Sequence, residues 1–72
     1  MIALLRDRWD GRYEAEGTDL LSIAEGVFGE GRPLVVRYSS DENSPEVASI
    51  TELSPHGGEL VLAQVLAVED ET

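Results

Sequence analysis

The most regular hydrophobic pattern in the chain begins at Leu20. Leu20, Ile23, Ala24, Val27 and Phe28 recur at i, i+3, i+4, i+7 and i+8, drawing one apolar stripe along a helix. Thr18 and Asp19, after Gly17, are N-cap candidates whose side-chain oxygen can accept from an orphan first-turn N–H. Gly29-Glu30-Gly31 and Pro33 stop it, so the pattern predicts a helix over about 19–29. Gly26 inside it costs about 1 kcal/mol against Ala and so suggests a close contact.

The pattern then changes to a period of two. Leu34-Val35-Val36-Arg37-Tyr38 places Leu34, Val36 and Tyr38 on one face, and Val47 to Leu53 sets Ala48 and Ile50 opposite Val47, Ser49 and Thr51. Leu60 to Val68 is an apolar run broken only by Gln64, and its Gly-Gly entry favours a central strand over a helix. Turn formers at 39–45 and 54–58 separate these runs. The expected fold is α+β: one amphipathic helix (about 19–29) packed on a three-stranded antiparallel meander (about 34–39, 46–53 and 59–68). Phe28 and Tyr38 are expected in its core. Residues 69–72 read as a frayed acidic tail, and residues 1–72 as one small domain.

The first sixteen residues admit two readings. Asp10-Gly11 is a signal for a two-residue type I′ hairpin, which would pair Trp9 with Arg12 and set Arg8 opposite Tyr13. A short helix over 2–9 instead places Ile2, Leu5 and Trp9 on one face, with Gly11 as its stop. The second half of the hairpin, Tyr13 to Glu16, alternates weakly, so the helix is preferred.

Charge narrows the functional classes. Fifteen acidic residues face five Arg and no Lys, a net charge of −10, and all five Arg lie within the first 37 residues. A nucleic-acid binder working by phosphate neutralisation is not expected on such a surface. The absence of Cys removes disulfides and thiolate metal sites. No apolar run is long enough for a bilayer span, and the opening residues lack a signal-peptide pattern, so a cytoplasmic location is expected.

No constellation of catalytic groups stands out. His56, the single His, lies in a Pro-His-Gly-Gly loop and reads as a turn residue. Asp41, Glu42 and Asn43 lack calcium-loop spacing and read as a solvated turn. Gly26, Gly29 and Gly31 sit at the end of a helix, where helix termination accounts for Gly29 and Gly31, rather than at the start, where backbone N–H groups cradle phosphate. The expectation is therefore a protein that is not an enzyme and carries no cofactor or metal.

Residues 20–64 resemble the opening of WYL-type domains through Gly31, Arg32, Leu34, Val36, Arg37, Tyr38, Gly58, Leu60, Leu62 and Ala63. Leu60-Val61-Leu62 stands where that family carries Trp-Tyr-Leu, and only Arg37 matches the family's basic sheet residues. The resemblance implies a small β-rich regulatory module.

Recognition residues are sought where Trp, Tyr and Arg gather, because these types dominate binding hot spots. Trp9, Tyr13, Arg6, Arg8 and Arg12 form that segment, and Arg37 joins them as the matched basic residue. The leading expectation is an acidic, non-enzymatic protein-interaction or regulatory module with a surface adapted to high salt, binding a protein partner of basic character and pairing as a homodimer. The alternative is a nucleic-acid mimic that occupies the groove of a basic DNA- or RNA-binding protein, with its carboxylates on one continuous face.

Overall fold

A computed structural model describes residues 1–70; Glu71 and Thr72 of the expected tail lie outside the described residues. Six elements follow in order: β1 (Ile2–Asp7), β2 (Arg12–Glu16), α1 (Leu20–Phe28), β3 (Leu34–Tyr38), β4 (Ala48–Leu53) and β5 (Glu59–Glu69). All five strands join one antiparallel sheet in the order β2-β1-β5-β4-β3. The described residues are mostly β, 47% strand and 13% helix, which overturns the helix on a three-stranded meander.

The correction comes from the N-terminal segment, which forms a hairpin and not a helix. Ala and Leu favour helices only weakly, and long-range pairing overrides that preference. As a strand, β1 buries Ala3 and Leu5 completely on one face and satisfies its backbone against β2 and β5 on both sides. As a helix it would leave β5 with a bare edge.

The hairpin turn also differs from the two-residue type I′ form. The Asp7 N–H donates to the Gly11 carbonyl at 2.9 Å, and the Asp10 N–H donates to the Asp7 carbonyl at 3.2 Å. This leaves a three-residue loop, Arg8-Trp9-Asp10, with Asp10 in the left-handed region at φ 64°. The Asp7 carboxylate fastens it by accepting from the N–H groups of Trp9 (2.9 Å) and Gly11 (2.8 Å). The resulting register pairs Leu5 with Tyr13 and Ala3 with Ala15. The type I′ register would have set Leu5 against Glu16, a charge against the core, and a buried face does not tolerate that slip.

β5 organises the sheet. It pairs with β4 from Glu59 to Val65 and with β1 from Ala63 to Glu69, with irregularities that skip Leu62 and Leu66. Only Ala63, Gln64 and Val65 have strand partners on both sides, and Ala63 and Val65 are buried there on the helix side while Gln64 faces the uncovered side. Glu69, expected in the frayed tail, closes β5 opposite Ile2.

α1 covers one face. The Asp19 carboxylate caps it by accepting from the Ser22 N–H at 2.8 Å, and Gly29, at φ 119°, ends it. Leu20, Ile23 and Ala24 are buried against Ala3, Leu5, Ala48, Ile50 and Val65, with Phe28 half-buried beside them. Val27 and Tyr38 are corrections: Val27 is partly exposed and Tyr38 is 72% exposed. α1 reaches β3 at its start, where Leu34 and Val36 pack against the core, and leaves Tyr38, at the other end of that strand, uncovered. The close contact expected at Gly26 is absent, since a Cβ there would meet nothing within 4 Å. The close approach is at Gly17, where a Cβ would stand 2.8 Å from Ile23 Cγ1.

The cap carries a pH prediction. The hydrogen bond from the Ser22 N–H holds the Asp19 carboxyl below its ordinary value of 3.8. A folded-state pKa below the unfolded one contributes stability above the unfolded value and loses it as pH falls through the folded one. Asp19→Asn keeps a capping oxygen without the charge, so its urea midpoint is expected to fall less than wild type's below about pH 4. Parallel acid limbs for the two proteins would show that the cap charge is not involved.

Candidate interaction surface

Cross-strand partners share a face, so register alone places the side chains of the uncovered side. Arg12 pairs with Arg6, Arg6 with Gln64, Gln64 with Ser49 and Ser49 with Arg37. These five residues form one row across all five strands, on the face opposite α1. The equivalent row on the helix side is Tyr13, Leu5, Val65, Ala48 and Tyr38. One polar row thus backs directly onto an apolar one, as strand alternation requires.

The row is made of hydrogen-bonding groups and guanidinium forks. Arg6 donates through Nη2 to Gln64 Oε1 and stands 3.8 Å from the Asp10 carboxylate. Arg37 pairs with Glu59, Nε donating at 2.8 Å and Nη2 at 2.5 Å. Arg12 has no ion pair among the described residues, yet it lies directly opposite Arg6. Like charges set opposite each other on a sheet are unfavourable. A chain with few cations has therefore placed two of them side by side.

The hairpin turn adjoins this row. Trp9 is 82% exposed at its tip, with the Arg8 guanidinium 5.5 Å from the indole centroid, a cation–π contact. Beyond the end of β1 a notch of about 530 Å³ opens, lined by Arg6, Asp7, Arg8, Asp10 and β5 residues 61–64. Leu60 and Val61 are exposed beside it because β1 ends before reaching them.

Of the residues singled out by sequence, the structure brings Arg6, Arg12 and Arg37 into one row and sets Arg8 and Trp9 at its end. Tyr13 is separated from them. It points to the helix side and packs against the core, and burial, with the Asp7 charge second, pushes its phenol above 10.0. Gln64 and Ser49 were missed. Gln64 did carry a signal, as the one polar residue of the apolar run, but only the register reveals its neighbours.

Strand directions sort the carboxylates. Glu16, Asp41, Glu42, Glu46, Glu69 and Asp70 lie at the end of the sheet where β2, β3 and β5 finish, with Glu14 next to it. None of these seven forms an ion pair among the described residues. The other end holds Arg8, Arg32 and the β4–β5 loop, and there Glu52 accepts from Arg32 Nε at 2.5 Å, which holds its carboxyl below the usual range. Exposed pairs of this kind contribute little to stability. Asp7, Asp10, Glu30 and Glu59 share that end with the arginines, so its charges nearly balance and the strands run between an acidic end and a mixed one.

The loops fall to turn chemistry. Asp41 accepts from the Asn43 N–H at 2.9 Å, and Ser54 Oγ accepts from the His56 and Gly58 N–H groups at 3.1 and 3.3 Å. His56 is exposed. No helix among the described residues is long and apolar enough to cross a membrane. No family model, curated protein or solved structure matches the chain.

Proposed function

We propose that this chain is a non-enzymatic protein-interaction module of the cytoplasm that engages a partner through its uncovered sheet face. The single observation that carries this is the row Arg12-Arg6-Gln64-Ser49-Arg37, three arginines aligned on the face that α1 leaves open. Guanidinium forks match carboxylates bidentately, and Trp9 supplies an exposed aromatic anchor at the end of the row. A net charge of −10 repels a polyanion at long range, so the row suits a few carboxylates on a protein surface better than a phosphate backbone.

A second reading draws on the acidic end. Seven carboxylates without described ion pairs favour a basic partner there, as a nucleic-acid mimic would.

Amide shifts of the labelled protein, titrated with hexaglutamate and with hexalysine in about 0.3 M KCl to screen net repulsion, separate the two. Hexaglutamate is expected to move Arg6, Arg37, Ser49 and Gln64 in wild type but not in Arg6→Ser/Arg37→Ser. A row indifferent to hexaglutamate overturns the first reading. Hexalysine shifts confined to residues 14–16, 41–46 and 69–70 then favour the second.

A further inference from the structure

The free edge of β2 has a polarity of its own. The Asp7 N–H bonds to the Gly11 carbonyl, and the Gly17 N–H bonds to the Met1 carbonyl at 3.1 Å. The odd-numbered residues between them therefore aim their main-chain groups at β1. By the alternation of an antiparallel ladder, Arg12, Glu14 and Glu16 aim theirs at the open edge. All three are exposed, and their side chains lie on the uncovered face.

We propose that this edge pairs with the same edge of a second copy, antiparallel, with a two-fold axis at Glu14. The strand Arg12-Tyr13-Glu14-Ala15-Glu16 is self-complementary in that register. Arg12 faces Glu16 of the partner subunit, and Glu16 faces Arg12 of the partner subunit. On the helix side Tyr13 meets Ala15 of the partner subunit. Each pair of outward-aimed residues exchanges both main-chain bonds, and the two five-stranded sheets become one.

Two features of the single chain favour this occupant. Arg12 lies opposite Arg6 and has no ion pair among the described residues; a carboxylate on its other side offsets that like-charge contact. The strands also run between an acidic end and a mixed one, and antiparallel pairing lays the acidic end of one copy beside the arginine-bearing end of the other. The one unfavourable contact is Glu14 against itself on the axis.

The opposite edge, β3, lacks this specification. Its outward-aimed residues are Leu34, Val36 and Tyr38, since the Ser39 N–H bonds to the Val47 carbonyl (3.0 Å) and the Leu53 N–H to the Pro33 carbonyl (2.9 Å). No charge pair fixes a register there. Pairing β2 with β3 of another copy would give an open filament and not a closed dimer.

The test is sedimentation equilibrium in about 0.5 M KCl, which screens net repulsion between copies, across chain concentrations from about 10 µM to 1 mM. Wild type is expected to shift from monomer to dimer. Arg12→Glu and Glu16→Arg each turn two attractive pairs into repulsive ones and should weaken the dimer roughly tenfold. The swap Arg12→Glu/Glu16→Arg should restore it, and Glu14→Gln should tighten it. Should a charge variant lose its circular dichroism, mixed labelled and unlabelled wild type supplies the answer through intermolecular contacts between the Tyr13 ring and the Ala15 methyl. A monomer throughout, a dimer indifferent to both single variants, a swap no better than either, or no such contacts overturns the proposal. Arg6 and Arg37 play no part in this edge, so loss of face binding in Arg6→Ser/Arg37→Ser leaves the dimer standing, and Glu16→Arg, which lies outside the arginine row, breaks the dimer without removing any of the row's arginines.

Discussion

Leu5→Ala is expected to remove about 2–5 kcal/mol of stability, the range for truncating a fully buried leucine. A chain of this length has about 4–11 kcal/mol in total at the usual stability per residue, so the variant sits at the margin of folding. Leu5 is 0% exposed and stands between Tyr13 and Val65 in the apolar row beneath α1. With few large side chains in this core, no neighbour can move in to refill the space. Leu4 provides the control, because it lies one residue away on the uncovered face and is half-buried. Its truncation should cost about 1 kcal/mol, in proportion to the smaller area it hides. Urea unfolding followed by far-ultraviolet circular dichroism gives both values; Trp9 is too exposed to report on the core by fluorescence. Equal losses at Leu4 and Leu5 would mean that the segment does not alternate as a strand.

That pair of variants also marks where the sequence is hard to read. α1 is legible because its information is local: a cap at Asp19, a stripe at helical spacing and a glycine stop. The runs that become β3, β4 and β5 are legible for the same reason, each being a β-rich segment between turn formers. β1 is not. Leu4 and Leu5 are adjacent leucines of helical propensity, and the partner that makes them a strand, β5, lies some sixty residues away. The Asp10-Gly11 signal does mark the turn, but the Asp7 carboxylate draws the loop to three residues and moves the register with it. The arginine row is harder still. Arg6, Arg12 and Arg37 have no common spacing, and their alignment is a property of four strand registers taken together. Tyr38 shows the converse limit: its alternation with Val36 places it correctly on the helix side, yet nothing local tells that α1 packs on the start of β3 and leaves its Tyr38 end open.

Raising KCl from about 0.1 M to 2 M is expected to raise the urea midpoint of the chain, against the common assumption that salt weakens charged surfaces. The two directions compete through different residues. The ion pairs Arg32–Glu52 and Arg37–Glu59 are screened, but exposed pairs of this kind have little stabilisation to lose. At the acidic end the sign is opposite. Two carboxylates 10 Å apart in water repel by roughly 0.4 kcal/mol, reduced to about 0.15 at 0.1 M salt, and the carboxylates gathered at that end add such terms with no ion pair among the described residues to offset them. At molar salt the Debye length of about 3 Å removes nearly all of this repulsion. Neutralising three of these carboxylates, as in Asp41→Asn/Glu42→Gln/Glu46→Gln, should raise the low-salt urea midpoint and flatten its dependence on KCl. A wild-type midpoint that does not move with KCl would mean that the folded chain tolerates the acidic end without screening. The carboxylates would then be better explained by a basic partner than by the solvent, and the hexalysine titration becomes the decisive one.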